Sequence, residues 1–169
     1  IVGSILCGHD GRRGCFYHVC VDENYRRRGI GKTMVVHAME ELKKEKIKME
    51  YMLKGGSGSI IWSIISTPSG LETWFADKVT AKEKVYTFQW GKTETRQAEV
   101  IHSRTNHFIR FHWLDDEEPK SYFELKIVYN ELTEDLMLEV ADFAETTEID
   151  DIKDLWDSDI EKLRRVSGL

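Results

Sequence analysis

Residues 19–46 read VCVDENYRRRGIGKTMVVHAMEELKKEK. Val19 and Val21 have the look of a buried strand end, and residues 26–31 of a basic turn with two glycines. An amphipathic helix comes next. Met34, Val35, Ala38 and Leu42 recur at three- and four-residue steps, with Glu40, Glu41, Lys43 and Lys44 off that stripe. A strand that feeds a glycine-containing turn at a helix start makes an anion site, because the first-turn amides have no partner within the helix. Gly29 and Gly31 let the backbone come close to a phosphate, and Arg26, Arg27 and Arg28 add positive charge. The competing reading is an ordinary strand-to-helix turn with solvated arginines.

Upstream, residues 1–7 form a short apolar strand, 8–11 a turn with Asp10-Gly11 at its corner, and 15–21 the hairpin partner. Cys15, His18 and Cys20 have the chemistry of metal ligands. Side chains alternate along a strand, however, so Cys15 faces away from His18 and Cys20, and no second cluster with zinc spacing is found downstream. No metal is therefore expected. All three cysteines (Cys7, Cys15, Cys20) fall in the first 20 residues, an odd, clustered set that suits reduced thiols and a cytoplasmic setting. Two strands and one helix bury too little surface to stand alone.

These residues carry a resemblance. Arg26-Arg27-Arg28-Gly29-Ile30-Gly31 is similar to the Q/R-x-x-G-x-G/A signature of the GNAT (Gcn5-related N-acetyltransferase) family, in the same strand-before, helix-after context. The resemblance implies that the pyrophosphate of acetyl-CoA lies on the loop amides of Arg27, Arg28, Gly29, Ile30, Gly31 and Lys32, with Arg26 opening the motif. It also implies that the backbone at Val19 and Val21 pairs with the pantetheine arm. It covers residues 1–47 only. The strand and helix that complete the cofactor slot in that family are not found after Ile47.

Composition shifts near residue 47. Residues 1–47 carry 9 basic and 6 acidic groups, the remainder 15 and 24, and all five Trp lie in the second part. The acidic bulk argues against nonspecific nucleic-acid binding. No apolar run approaches the ~20 residues needed to span a bilayer, so no membrane partner is expected. Residue 1 is Ile, which is not expected of a natural translation start.

From Ile47 the pattern is that of a second architecture. Ile47, Met49, Tyr51 and Leu53 alternate with polar residues as in a half-buried strand. Residues 55–58 end it, and Ser57 or Ser59 caps a short apolar helix containing Ile60, Ile61, Trp62, Ile64 and Ile65. Residues 67–70 break that helix, and a second one runs over 71–76. Strands are expected over 85–90, 95–101, 107–113, 122–129 and 136–143, at hairpin spacing. Tyr86, Phe88 and Trp90 share one face, as do Ile109, Phe111 and Trp113, then Phe123, Leu125 and Ile127, then Leu136, Leu138 and Val140. A closing helix has Thr146 or Thr147 as its cap, a stripe of Ile149, Ile152, Leu155, Trp156, Ile160 and Leu163, and Gly168 as its stop. Its ~18 residues would reach about 27 Å, enough to cross a curved sheet.

The expected fold class is thus α+β: a curved antiparallel sheet gripped by a long C-terminal helix, preceded by a hairpin-plus-helix unit. Residues 48–169 resemble the START-like (helix-grip, SRPBCC) superfamily, nearest its branch related to ATPase activators of a heat-shock chaperone. The resemblance rests on the Trp-containing short helices, the Phe111-His112-Trp113 strand and the Leu155-Trp156 helix. It implies a cavity between helix and sheet that holds an apolar small molecule, or a surface that docks a protein partner. Trp62, Trp74, Phe88, Trp90, Phe111, Trp113 and Trp156 are the candidate lining; aromatics at such spacing also simply fill cores. His107 and His112 are weighed as acid or base against surface or satisfied strand histidines. Two functions stand side by side. One is a fusion of a truncated acetyl-CoA-binding segment, residues 1–47, with a START-like domain, residues 48–169. The other is an active N-acetyltransferase that moves acetyl from acetyl-CoA to an amine.

Overall fold

The computed structural model describes residues 1–9, 14–41, 43–130 and 135–169, the side chains of 7–9, 14–17, 40 and 41 excepted. The expected corner at Asp10-Gly11, the Leu42 end of the helical stripe, the side chain of Cys15 and most of the turn before residue 136 lie outside the described residues.

Strands β1 (Gly3–His9) and β2 (Gly14–Val21) pair antiparallel as a two-stranded sheet. Helix α1 (Ile30–Glu41) packs on this hairpin. It lies so close that a Cβ on Gly3 would come within 2.8 Å of the Met34 sulfur. Ala38 is the buried residue of its stripe, while Val36 and Met39 are exposed.

Strand β3 (Lys44–Leu53) starts three residues before the expected Ile47. It pairs along its whole length with β9 (Leu136–Glu145), from Lys44 against Glu145 to Leu53 against Leu136. Ile47, Tyr51 and Leu53 are buried, as the alternation requires. Two helices, α2 (Gly58–Ser66) and α3 (Pro68–Glu72), then carry the chain across to the far edge. Ser57 caps α2 by accepting a hydrogen bond from the Ile60 amide. Thr67 both ends α2 and caps α3, accepting from the Gly70 amide at 3.0 Å. The four residues expected only to break a helix therefore also start one, and α3 begins at Pro68, not Leu71. Proline suits the first helical position, where its missing N–H is not needed.

The rest is a meander: β4 (Lys78–Lys82), β5 (Val85–Trp90), β6 (Glu94–Arg104), β7 (Phe108–Trp113), β8 (Phe123–Tyr129) and β9. The large sheet has seven strands in the order β3-β9-β8-β7-β6-β5-β4. The two strands that flank the helices thus lie at opposite edges. Strand β4 has no counterpart among the expected strands. Only Val79 of its five residues is buried, so it carries no alternation to read. Strand β6 has a bulge between Val100 and His102.

The concave face buries Phe88, Ala98, Ile109, Phe111, Phe123, Leu125, Leu138 and Val140. Ile61, Ile65, Leu71, Trp74 and Phe75 cover one part of it. Helix α4 (Ile149–Ser167) covers another with Trp156, Ile160 and Leu163. Its 19 residues reach about 28 Å. A 3-10 turn, Thr146–Glu148, precedes it, so Glu148 takes the cap position without a side-chain cap bond, in place of Thr146 or Thr147. Gly168 closes it in the left-handed conformation, at φ 72°. Leu155, expected on the buried stripe, is 57% exposed, and Asp159 is buried in its stead. Two bonds tie α4 to β3: Tyr51 Oη donates to Asp157 at 2.6 Å, and Arg164 donates to the Met52 carbonyl at 2.9 Å. Among the described residues no helix is long and apolar enough to cross a membrane.

Candidate functional site

Two places gather the residues singled out by the sequence. The first is the turn between β2 and α1. Asp22 continues the hairpin, its amide donating to the Val2 carbonyl at 2.9 Å, and its side chain holds Asn24. Arg27 and Gly29 both take positive φ, 62° and 77°. At Gly29 a side chain would be strained by the backbone and not by crowding, since nothing lies within 4 Å of its absent Cβ. The first helical bond runs from the Thr33 amide to the Gly29 carbonyl. The amides of Ile30, Gly31 and Lys32 therefore precede the helical ladder. Gly31 packs against Val21. Arg26 turns back, donating from Nε to the Val21 carbonyl at 3.1 Å, and Arg28 lies over the Tyr25 ring. The turn thus holds one arginine inward on the strand and leaves the helix start bordered by the other two. Val19 is exposed, and the second edge of β2 has no strand partner among the described residues. The strand after α1 pairs with β9 and not with β2.

The second place is a cavity of about 410 Å³ between α4 and the concave face. Phe75, Trp90, Trp113, Tyr122, Phe143 and Trp156 make its aromatic walls. Phe75 stacks on Trp156 at 5.6 Å between ring centres and meets Trp90 edge-on at 5.8 Å. Of the candidate lining residues, Trp90, Trp113 and Trp156 come together here. Phe88 and Phe111 are wholly buried beneath the walls, and Trp74 is buried with its Nε1 donating to the Ile64 carbonyl. Trp62 packs, half-buried, on the rim of the core from α2. None of these four borders the cavity.

One end of the cavity is polar. Asp142 follows Leu136, Leu138 and Val140 on the inward phase of β9. Its Oδ2 accepts from Trp156 Nε1 at 2.8 Å and its Oδ1 from the Phe143 amide at 2.7 Å. Burial pushes its carboxyl up to about 6, against the pull of those two bonds and of the Lys44 and Arg96 charges. Arg96 grips Asp115 with two bonds, 3.0 and 2.8 Å, and its guanidinium lies 4.1 Å from the Trp113 ring centre. Lys44 meets Asp116 at 2.8 Å, and Ser121 Oγ donates to the same carboxylate at 2.6 Å. Burial alone would raise Asp116; the bonds from Lys44 and Ser121 outweigh it and hold the carboxyl below its ordinary range. Asp159, raised by burial and opposed by Lys162 at 2.8 Å, lies on the helix side.

The sequence alone does not single out Asp142 or Arg96, although a signal exists. Each is a charged residue in phase with apolar ones on a strand, Arg96 with Ala98 and Val100. Asp115 and Asp116, in the acidic run at 115–118, supply the carboxylates that hold Arg96 and Lys44. His112 Nδ1 lies 2.8 Å from the Ser121 carbonyl, and His107 is an exposed turn residue. Neither borders the cavity.

Comparison with known proteins matches both architectures. Residues 41–169 fit the family profile described as a START-like superfamily domain, and residues 1–60 that of the acetyltransferase (GNAT) domain. The chain is 34% identical over 62 residues to "Acetyltransferase SG1711" of Sodalis glossinidius, which covers 36% of this chain and 44% of that protein. The chain thus spans less than half the length of that curated relative. Among solved structures, BfR322 from Bacteroides fragilis shares 59% identity, over 75% of this chain and 93% of that one, with a TM-score of 0.55. The Aha1 dimer from Colwellia psychrerythraea shares the fold at 14% identity, over 70% and 92% of the two chains, with a TM-score of 0.59.

Proposed function

From the premise that this chain belongs to the START-like superfamily over residues 41–169, we propose that it is a binding protein that holds a small, mainly apolar molecule between α4 and the sheet. The observation that carries this reading is the 410 Å³ cavity walled by Phe75, Trp90, Trp113 and Trp156. Pockets of about 300–1,000 Å³ with apolar walls and a few converging polar groups are where small ligands are held. The walls supply contact area, and the polar end at Asp142, Lys44 and Arg96 supplies orientation. Native mass spectrometry of the intact chain is the test. Recovery of a bound small molecule that Trp156→Ala releases supports the reading. A chain that is always empty, and whose Trp fluorescence no apolar probe changes, refutes it.

A second proposal concerns residues 1–47, as an acetyl-CoA-binding element joined to the START-like part at 48–169. It is favoured by the GNAT match over residues 1–60 and by the Gly29 backbone at φ 77°, which opens the helix start to a phosphate. Acetyl transfer would need the thioester held beside a deprotonated amine and its oxyanion met by a backbone N–H. Here β3, which comes after α1, is committed to β9, so the described residues offer a pyrophosphate loop beside an uncompleted strand edge. The proposal is therefore cofactor binding without transfer. Titration calorimetry with acetyl-CoA is expected to show binding that Arg26→Ala/Gly29→Asp abolishes. No binding by the intact chain removes the proposal, and turnover of an amine would establish transfer in its place.

A further inference from the structure

The charges around the cavity do not balance. Three cations border it, and each is already held by a carboxylate: Lys44 by Asp116, Arg96 by Asp115 and Lys162 by Asp159. Three carboxylates that border it, Glu94, Asp142 and Glu148, have no ion pair among the described residues. Asp142 is the one of these that the fold aims inward, on the same face as Leu138 and Val140. Its two bonds come from neutral donors, the Trp156 indole and the Phe143 amide, one to each oxygen. Each oxygen keeps a further lone-pair direction. Trp156, Trp113, Trp90 and Phe75 line the same cavity, and such ring faces favour positive charge, as the Arg96 guanidinium 4.1 Å from the Trp113 ring centre illustrates. An anionic ligand would have to draw Lys44 or Arg96 away from its partner. A cation needs no such rearrangement.

We propose that the cavity selects a protonated amine on an apolar, ring-sized body, its ammonium donating to the Asp142 carboxylate and its body lying against the tryptophans. This rests on the cavity reading above and names the chemical class of its ligand. Trp156 has a double part, as wall and as the donor that fixes the carboxylate. The titratable groups that border the cavity with Asp142 are Lys44 from β3, Glu94 and Arg96 from β6, Asp116 and Tyr122 from the segment before β8, Glu148 from the 3-10 turn, and Asp159 and Lys162 from α4; Lys44 and Arg96 are the cations whose charges act on it. Asp159 is the neighbour whose carboxyl is also raised, so a pH effect on binding belongs to Asp142 only if it vanishes when Asp142 is neutralised.

The experiment uses three probes with one body: 2-naphthylmethylamine, 2-naphthalenemethanol and 2-naphthoate. Binding to the intact chain is followed through the indole N–H signals in a proton–nitrogen correlation spectrum. At about pH 7.5 the amine is expected to bind at least roughly tenfold tighter than the alcohol or the acid, the scale of one charge-assisted bond. In Asp142→Asn that preference is lost. In the unmutated chain the amine's advantage is also expected to fall as pH drops through about 6, which needs no variant to fold. Equal binding of all three probes overturns the amine assignment and leaves the cavity reading intact. So does naphthoate binding as tightly as the amine, or a preference or pH effect that survives in Asp142→Asn. No shift with any probe overturns both.

Discussion

Burial raises the Asp142 carboxyl, so its charge lowers the stability of the fold. Its carboxyl titrates near 6 in the folded protein and near 3.8 when unfolded. Below both values the group is neutral in either state and costs little. Between them the folded state holds a proton that the unfolded state has lost, so stability falls as pH rises. Above about 6 the full cost of a buried charge remains. Asp142→Asn removes that charge, but its NH2 group then faces one of the two N–H donors from which the carboxylate accepts, a loss of about 1–3 kcal/mol that is the same at every pH. Its stability relative to the unmutated chain is therefore expected to be best at pH 7.5 and to fall, by up to about 3 kcal/mol, as pH drops through 6 towards 3.8. Denaturant melts at several pH values check this, and a gap that does not change with pH would assign the effect elsewhere. At this scale the sequence shows which residues face inward: the period-two rule places Trp90 and Trp113 on the concave side, and the helical stripe places Trp156. It hides the charge pairs. Arg96 and Asp115 are 19 positions apart and Lys44 and Asp116 72 apart, distances over which no local period operates.

Among the elements, α2 and α3 meet at a close corner around Gly70. A Cβ on Gly70 would run into the Ser63 carbonyl and the Ile64 backbone. These are backbone atoms, which cannot rotate aside. Gly70→Ala is expected to cost more than about 2 kcal/mol, whereas Ser69→Ala, exposed on the same turn, stays within about 0.5 kcal/mol. Thermal unfolding of the two variants makes the comparison; equal melting temperatures would mean that the corner gives way. Elements with a clean period are legible to within a few residues, as β5, β7 and β8 are. Those set by single bonds are not. Strand β4 exists because its backbone pairs with β5 while only Val79 is buried. The start of α3 depends on Thr67 Oγ1 serving two helices, a donor to Ser63 and an acceptor from Gly70. Helix α4 begins after a 3-10 turn that takes up Thr146 and Thr147.

At the scale of the whole molecule, the described residues form two sheets. The hairpin of β1 and β2 forms one, and all remaining strands form the other. Residues 43–169 alone are expected to give an amide spectrum that overlays the same residues of the intact chain. A collapsed or unfolded spectrum would show that the first unit is part of the larger core. The change of composition near residue 47 is visible in the sequence. The pairing of β3 is not, because its partner is the last strand. Lys48 and Glu139, bridged across that pair, are 91 positions apart. Such distant closure slows folding, since a long loop must be ordered before the contact rewards it. On a ribosome adding about 5–20 residues per second, β3 would emerge and wait roughly 5–20 seconds for β9. Throughout that interval the backbone groups of β3 that will pair with β9 have no strand to bond, and a chain that ends before residue 136 keeps that edge open.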